Sequence, residues 1–482
     1  MVENLIFSPT IYKTQYLMKY STIENLEIID AGAEGKAVGK KEGLTVFAPF
    51  AVPGDIVDVE VFKKKKGYAE ARILNIKTKS PHRIEPECEH FGLCGGCKWQ
   101  IMDYDTQLKY KQKQVEDAFR HLGKFEFPPI LPIIPSKKQY EYRNKLEYTF
   151  SHLRWLDDED MRLRDAGQNL ETRGLGFHIP GKFDKVLNIK NCALQAEPSN
   201  EIRNGVRAFA MEHGISFYNI RNHEGILRNL IIRNNTKNEV MVILSLTEMN
   251  AKTEKLLDFL KDNFLQISSL FYVINTKLND SISDLEPVLY AGAPHISETM
   301  EELHYKIGPL SFFQTNSLQA LELYKVARDF AQITGKDIVY DLYTGTGTIA
   351  LFVAKQAHKV LGIEYVEAAI DDAQFNAVQN GIANTVFFAG DMKDVLNENC
   401  TKRNGKPDVV ITDPPRAGMH PDVVARLLEM ETPKIVYISC NPATQARDIT
   451  ELSKKYTVEK VQPVDMFPHT HHVENVVLLV KK

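Results

Sequence analysis

The stretch Ile338-Val-Tyr-Asp341-Leu-Tyr-Thr-Gly345-Thr-Gly347-Thr-Ile-Ala350 decides the fold of the C-terminal part of the chain. It opens with an apolar run, passes through two glycines and continues into a segment with a helical pattern. Glycines at such a corner let the backbone turn tightly and approach a ligand at the N-terminus of the following helix. We expect a strand, a tight turn with a bound ligand and a helix. A purely structural corner is the alternative.

Further apolar runs surround this corner from about residue 311 onward. They lie at residues 338–340, 360–363, 386–388, 409–411 and 435–438. Continuous apolar strands that alternate with helices are typical of a parallel sheet covered on both faces. We therefore predict an α/β fold in which residues 311–482 form a doubly wound, Rossmann-like sheet.

Acidic residues around the glycines indicate the kind of ligand. Glu364 ends the next strand, 23 residues after Asp341, where its carboxylate could accept hydrogen bonds from ribose hydroxyls. The spacing Gly-x-Gly-x-x-Ala also fits a dinucleotide, so NAD is a rival cofactor. Asp341 ahead of the glycines favours S-adenosylmethionine, as does Asp391 after the third strand, where a carboxylate could meet the adenine amino group.

The N-terminal part, residues 21–80, is predicted to form a small OB-like β-barrel. Its strands are expected at residues 26–30, 44–48, 56–62 and 69–76. Regularly spaced short strands with turns between them are typical of such barrels. The four adjacent lysines Lys63–Lys66 indicate a solvated hairpin tip, with contact to an RNA backbone as the alternative.

Residues 81–310 mix strand and helix patterns, so we expect a central α+β domain with a helix at 104–122. The polar stretch Asp157–Arg173 indicates an exposed loop. The net charge of −4 provides no global basic field, so any RNA contact would use local patches. Neither a membrane-spanning apolar run nor a signal-peptide pattern occurs, and we expect a cytoplasmic monomer that contacts no membrane.

Reactive side chains follow two neighbouring strands of the predicted sheet. Asp413 follows the fourth strand within an Asp-Pro-Pro-Arg loop, and Cys440 follows the fifth within Ser-Cys-Asn-Pro. Both belong at the carboxyl edge, where open α/β sheets bind ligands. A cysteine at a strand end is by default a small buried hydrophobe, but its position beside Asp413 indicates a nucleophile. Glu474 stands before the last strand, after histidines that are too closely spaced to predict a metal site.

A cysteine- and glycine-rich segment, Cys88-x5-Cys94-x2-Cys97, predicts ligation of a metal or cluster. Glycines between these cysteines let three thiolates converge. The distant Cys192 would complete four ligands, with His90 as a possible substitute. Thiolate chemistry alone leaves tetrahedral zinc and a [4Fe–4S] cluster open, because each accepts four thiolates.

Taken together, five motifs resemble the RNA 5-methyluridine (uracil-C5) methyltransferases. They are Phe313-Gln314-Thr-Asn316, Asp341-Leu-Tyr343-Thr-Gly-Thr-Gly347, Asp413-Pro-Pro-Arg416, Ser439-Cys440-Asn-Pro442 and His472-Val-Glu474. The resemblance extends over nearly the whole chain from about residue 21, where the predicted barrel is similar to an RNA-gripping TRAM domain. The cysteine spacing is similar to that of the iron–sulfur members, such as the 23S rRNA uracil-5-methyltransferases.

The resemblance implies a role for each candidate residue. The residues implied to contact S-adenosylmethionine are Gln314, Tyr343, Glu364 and Asp413, with Asp391 as our addition. The residues implied to hold a [4Fe–4S] cluster are Cys88, Cys94, Cys97 and Cys192. The implied nucleophile is Cys440, and the implied general base is Glu474.

The chemistry of uracil accounts for the last two roles. Because C5 of uracil is a weak nucleophile, a thiolate must first add to C6 and make C5 enolate-like. The C5 proton must then leave to a general base before the thiol is eliminated. The target base would have to be splayed out of its stack to be reached.

The implied reaction is methylation of a uridine in RNA, with 23S rRNA as the expected partner and the T-loop of tRNA as the alternative. An NAD-dependent oxidoreductase would leave Cys440 and Glu474 without a role. Adenine N6 methylation also uses Asp-Pro-Pro loops but needs no thiol. One further motif, Tyr142-Arg143-Asn144-Lys145, resembles a family motif for which RNA phosphate contact and a structural ion pair are both open.

Overall fold

The computed structural model describes residues 21–482, which fall into two compact units. The first unit contains the described residues up to Glu87 together with 96–110 and 469–471. The second contains 88–95, 111–468 and 472–482. No helix in the described part of the chain is both long and apolar enough to cross a membrane.

The first unit contains a closed five-stranded barrel with the strand order β1-β2-β3-β5-β4. Its strands are β1 Thr22–Ala31, β2 Ala37–Lys41, β3 Leu44–Ala48, β4 Ile56–Lys65 and β5 Tyr68–Thr78. Alternate apolar residues such as Leu26, Val46 and Val59 are fully buried inside it. The predicted barrel is confirmed. The lysine run Lys63–Lys66 is exposed at the β4–β5 hairpin, where Lys63 pairs with Glu70.

A long helix, α1 Tyr104–His121, begins in the first unit and ends in the second, close to the predicted bounds. The second unit continues with a seven-stranded sheet, the central sheet, in the order β12-β11-β10-β9-β6-β7-β8. Its strands are β6 Lys145–Ser151, β7 Gly174–His178, β8 Val186–Asn188, β9 Leu227–Asn234, β10 Val240–Leu246, β11 Ile267–Ile274 and β12 Val288–Gly292. Its helices are α2 Asp158–Asp165, α3 Ser199–Glu212 and α4 Ala251–Asn263.

Helix α2 corrects the prediction of a loop over Asp157–Arg173. Asp157 caps the helix, accepting a hydrogen bond from the Asp160 backbone while the Asp160 side chain accepts one from the Asp157 backbone. This capping box satisfies N–H groups that otherwise lack partners in the first turn. The sequence pattern did not indicate the helix because none of its residues is buried.

The C-terminal sheet also belongs to the second unit and follows a hairpin of β13 Ile296–Met300 and β14 Leu303–Ile307. Its strands are β15 Ile338–Leu342, β16 Lys359–Glu364, β17 Thr385–Ala389, β18 Val409–Thr412, β19 Lys434–Ser439, β20 Tyr456–Val464 and β21 Glu474–Lys481. Its helices are α5 Ser317–Ala331, α6 Thr348–Ala354, α7 Glu367–Gln379, α8 Met392–Val395, α9 Glu398–Asn404, α10 Pro421–Met430 and α11 Pro442–Leu452. The five predicted strands are all present.

The strand order of this sheet is β17-β16-β15-β18-β19-β21-β20. The strands from β15 to β19 pair in parallel, whereas β21 lies antiparallel between β19 and β20. One apolar core packs residues of the central sheet, such as Ile231 and Met241, with residues of the C-terminal sheet, such as Val339 and Ile438. The predicted α/β fold is confirmed.

A buried ion pair fixes the segment that leads into β21. Lys111 of α1 and Asp465 are both fully buried and form a salt bridge, and the Lys111 ammonium also donates to the Phe467 carbonyl at 2.8 Å. Burial lowers the pKa of Lys111, while the charge of Asp465 opposes this shift.

We expect Lys111→Met to lower the free energy of unfolding by about 3–5 kcal/mol, because it removes the cation of a fully buried ion pair. Replacing both partners, as in Lys111→Met with Asp465→Leu, should recover most of that loss. The control is Lys113→Met on the same helix, which breaks an exposed pair with Asp117 and should cost less than about 1 kcal/mol. Chemical denaturation measures all three. Equal losses for Lys111→Met and Lys113→Met would contradict the prediction.

Candidate active site

The strand order of the C-terminal sheet reverses beside β15. The chain continues from β15 to β16 and β17 on one side and then returns to β18 on the other. Open α/β sheets bind ligands at the carboxyl ends of strands next to such a reversal. The register pairs Leu342 with Thr412, so the residues after them, Tyr343 and Asp413, meet at this crevice.

The turn after β15 has the backbone geometry of a ligand cradle. Tyr343, Gly345 and Gly347 all have positive φ, at 65°, 55° and 78°. A Cβ at Gly345 would meet no atom within 4 Å, so the space over this residue is open. A Cβ at Gly347 would lie 3.0 Å from Ala373, so this glycine is needed for close packing. A non-glycine residue at positive φ, as at Tyr343, is typical of functional sites.

Asp341 lies fully buried below this turn. Its Oδ2 accepts hydrogen bonds from the Ala350 amide at 2.9 Å and the Thr344 hydroxyl at 2.5 Å. Its Oδ1 has no hydrogen-bond partner among residues 21–482. Burial raises the pKa of Asp341 to about 7. A buried acceptor without a partner is costly, which favours a ligand or water that donates to it.

Glu364 closes the other side of the turn from the end of β16. One carboxylate oxygen accepts from the Gly345 amide at 3.1 Å. The other accepts from the amides of Tyr365 and Val366 at 2.9 and 3.1 Å. A carboxylate has about four acceptor positions, so these bonds leave room for a ligand hydroxyl.

A buried hydrogen-bond network positions Gln314, whose Nε2 lies 3.4 Å from Asp413 Oδ2. The Asn144 side chain donates to the Gln314 carbonyl at 2.9 Å and to the Ser317 hydroxyl at 2.8 Å. Ser317 in turn donates to the fully buried Glu298 at 2.6 Å. The central sheet thus supports the loop that carries Gln314.

Asp391 lies at the start of α8 and is partly exposed. Its side chain accepts from the Lys393 amide at 3.2 Å and pairs with the Lys393 ammonium at 3.3 Å. The backbone hydrogen bond is the main reason that the pKa of Asp391 is lowered. Burial raises the pKa of Tyr343 to about 12, and the charges of Asp448 and Asp391 add to this shift.

The antiparallel strand β21 places Cys440 and Glu474 opposite each other. Ser439 of β19 pairs with Asn475 of β21, and one step further along both strands lie Cys440 and Glu474. Glu474 is only 5% exposed, whereas Cys440 is half-buried. Because Asp413 follows the strand next to β19, a thiol and two carboxylates share one edge of the sheet.

Burial and mutual repulsion dominate the electrostatics of this group. Burial raises the pKa of both Asp413 and Glu474, and the charge of Asp413 adds to the shift at Glu474. Burial raises the pKa of the Cys440 thiol to about 11, with further contributions from Glu474 and Asp413. Arg416 opposes these shifts at Cys440 and Glu474. Strongly perturbed groups that meet in a crevice are typical of active sites.

Two contributors were not predicted from the sequence. Tyr324 of α5 is buried within electrostatic reach of Asp413, and its hydroxyl lies 3.4 Å from that of Thr348. A single aromatic residue on a helix gives no signal of this position. Asn144 lies in the motif Tyr142–Lys145, so the motif was a signal, but its role in supporting Gln314 depends on the fold.

Three of the four predicted cysteine ligands belong to the same compact unit. Cys88, Cys94 and Cys192 belong to the second unit and Cys97 to the first. Burial raises the pKa of the Cys192 thiol, and the charge of Cys88 adds to this shift. The alternative ligand His90 instead accepts a hydrogen bond from the Lys190 amide at 2.9 Å. Within residues 21–482, no group of three or more His, Cys, Asp or Glu side chains is arranged to hold a metal ion.

Comparison with known families matches two regions of the chain. Residues 294–482 match the tRNA (Uracil-5-)-methyltransferase family, and residues 22–74 match the TRAM domain. The second match covers the barrel, and the first covers the C-terminal sheet with the hairpin before it.

Relatives match over almost the full chain. An RNA methyltransferase of Bacteroides thetaiotaomicron is 56% identical over 93% of this chain and 99% of its own length. An RNA methyltransferase of Chlorobaculum tepidum is 39% identical over 94% of this chain and 95% of its own length. The crystal structure of Pyrococcus abyssi tRNA (uracil-54, C5)-methyltransferase in complex with S-adenosyl-L-homocysteine has 30% identity and a TM-score of 0.74, and covers 95% of this chain and 100% of that one. The chain therefore belongs to the RNA methyltransferases that combine a TRAM domain with a tRNA (uracil-5-)-methyltransferase domain.

Proposed function

We propose that the protein transfers a methyl group from S-adenosylmethionine to C5 of a uridine in RNA through a covalent bond between Cys440 and C6. The observation that carries this proposal is the register that sets Cys440 opposite Glu474 at the same edge as Asp413. A thiol nucleophile and a carboxylate base at one edge of the sheet are what methylation at C5 requires.

The residues of the crevice fit S-adenosylmethionine. Asp341 has a buried oxygen without a partner, Gly345 leaves open space over the turn, and Glu364 has acceptor capacity for a ribose hydroxyl. The residues that would hold the cofactor are Gln314, Tyr343, Glu364, Asp413 and Asp391. When bound, the cofactor supplies an electrophilic methyl group on a positively charged sulfur. The S-adenosyl-L-homocysteine bound to the Pyrococcus enzyme supports this assignment.

Cys440 must release its proton to bulk water before its sulfur can attack C6 of the uracil. The raised pKa keeps the thiol protonated in the free protein, because a thiolate there would be desolvated and would face two carboxylates. A positive charge brought next to Asp413 would lower the thiol pKa, and Arg416 already acts in this direction. We infer that Cys440 becomes reactive only when the crevice is filled.

Glu474 takes the C5 proton after methyl transfer. Its carboxylate must be ionised to accept this proton, and burial makes the protonated form unusually stable once it forms. Elimination of the Cys440 thiolate then restores the C5–C6 double bond and releases the methylated base. Both groups therefore act within one reaction cycle.

We assign RNA binding to the barrel of residues 21–80, cluster binding and support to residues 81–310, and methyl transfer to residues 311–482. We favour 23S rRNA as the substrate, with the T-loop uridine of tRNA as the alternative. The name of the Pyrococcus enzyme, a tRNA (uracil-54, C5)-methyltransferase, supports a tRNA substrate. Mapping 5-methyluridine in rRNA and tRNA from a deletion strain distinguishes the two. We further propose a cytoplasmic monomer.

We also propose that Cys88, Cys94, Cys97 and Cys192 hold a [4Fe–4S] cluster with a structural role. Support comes from the sequence spacing and from the electrostatic proximity of Cys88 to Cys192. The chain winds tightly between two of the ligands, since the His90 carbonyl accepts from both the Leu93 and Cys94 amides. No step of methyl transfer uses this group.

Glu364→Ala should weaken the binding of S-adenosylmethionine by roughly 1–3 kcal/mol, because it removes a charged acceptor for the ribose. Isothermal titration calorimetry measures this loss. The control is Glu367→Ala, which changes an exposed residue at the start of α7. This variant should bind S-adenosylmethionine with wild-type affinity. Unchanged affinity in Glu364→Ala, or tight NAD binding by the wild type, would overturn the cofactor assignment.

Removing Cys440 and Glu474 should stop the cycle at different points. Cys440→Ala should form no covalent adduct with RNA and transfer no methyl group. Glu474→Gln should add to C6 and accept the methyl group, then stall because the C5 proton cannot leave. A protein–RNA band should therefore accumulate with Glu474→Gln on denaturing gels, and Cys400→Ser should behave as wild type. Normal turnover by Glu474→Gln would show that another group is the base, and turnover by Cys440→Ala would refute the adduct.

Anaerobically purified protein should be brown and contain about four irons per chain. Replacing any one of Cys88, Cys94, Cys97 or Cys192 by Ser should remove the brown colour and lower the thermal stability of the protein. The same substitution should change the affinity for S-adenosylmethionine little. Cys400→Ser should keep the colour. Iron analysis and visible absorbance are the measurements, and stoichiometric zinc without iron would refute a cluster.

A further inference from the structure

Three cationic side chains meet where β6 and β9 lie side by side in the central sheet. Lys145 of β6 is directly opposite Arg233 of β9 in the antiparallel register, so both side chains are on the same face. Arg143 precedes β6 by two residues, and its Nε donates to the Lys145 carbonyl at 3.1 Å. Like charges directly opposite on neighbouring strands destabilise a sheet unless something compensates them.

No carboxylate in residues 21–482 forms a salt bridge with any of these three cations. Arg233 is only 6% exposed, and its donors reach neutral backbone oxygens: the Ser311 carbonyl at 2.6 Å and the Gly308 carbonyl at 3.5 Å. The Arg233 Nε has no hydrogen-bond partner among the described residues. A buried guanidinium without a counter-charge is energetically unfavourable, so this arrangement calls for an anion.

The electrostatics of Lys145 support this interpretation. Burial lowers its pKa, and repulsion by Arg233 and Arg143 adds to the shift. Glu147 is the carboxylate within reach, and its attraction does not reverse the shift. The motif around Asn144 therefore does not form the structural ion pair that its sequence left open.

The cation group lies next to the crevice. Asn144, between Arg143 and Lys145, donates its side chain to the Gln314 carbonyl and its backbone amide to the Thr315 carbonyl at 2.9 and 2.8 Å. Gln314 in turn reaches Asp413. An anion held by these cations would therefore be close to a base that lies over Cys440.

We propose that Arg143 and Lys145 bind a backbone phosphate of the RNA substrate beside the target uridine, with the buried Arg233 contributing positive charge next to them. The proposal rests on the proposed function, because it requires an RNA chain in the crevice. Phosphate contacts fix the position and orientation of a nucleic acid, and guanidinium groups suit phosphate oxygens. The carboxylate of the cofactor is the other anion that could reach this place.

The test compares Arg143→Gln, Lys145→Gln and their double variant with wild type in binding to a synthetic RNA hairpin with a uridine in its loop. Each single variant should bind about tenfold more weakly, the scale of a lost charged hydrogen bond. The slope of log K against log salt should fall by about 0.7 for each lost phosphate contact. Affinity for S-adenosylmethionine should remain unchanged. Arg233→Lys, which keeps the charge, should retain the wild-type slope.

Arg426→Gln on helix α10 is the matched control, because it removes one exposed positive charge nearly 300 residues along the chain from the motif. An unchanged salt slope in the double variant would overturn the proposal. Loss of cofactor affinity with normal RNA binding would also overturn it, by assigning the cations to the cofactor carboxylate. Binding is measured without turnover, so failure of the adduct experiment with Glu474→Gln would leave this result interpretable.

Discussion

The antiparallel insertion of β21 between β19 and β20 is the constraint on which the candidate site depends. Without it, Cys440 would follow a parallel strand at the crevice with no carboxylate opposite. The reversed strand starts at the edge where the parallel strands end, so its first residue, Glu474, faces the thiol. The buried pair of Lys111 and Asp465 anchors the segment that makes this reversal.

The same edge concentrates negative charge in a poorly solvated place. Asp341, Asp413 and Glu474 are each destabilised as anions by burial. Burial also raises the pKa of the Cys440 thiol, and the charges of Glu474 and Asp413 add to this shift. This arrangement suits a site whose ligand carries positive charge on sulfur. Binding of such a ligand would relieve the repulsion and prepare the thiol at the same time.

The central sheet supports the candidate site through Asn144, which precedes strand β6. Asn144 links the start of β6 to the loop of Gln314, and the cations on either side of it form no salt bridge with a carboxylate of residues 21–482. One short motif therefore has two functions in our interpretation. It supports the cofactor side of the crevice through an amide and would hold the RNA side through two positive charges.

The sequence by itself determined the barrel, the parallel strands and the glycine turn, because these depend on local periodicity. The candidate residues were implied by the resemblance of their motifs to a family. The sequence did not reveal α2, whose side chains are exposed and leave no hydrophobic pattern. Only the tertiary structure decided that Cys440 lies opposite Glu474, that Asn144 supports Gln314 and that Lys145 lies against Arg233. Each of these pairs joins distant parts of the chain, and strand register and burial, which no local pattern encodes, bring them together.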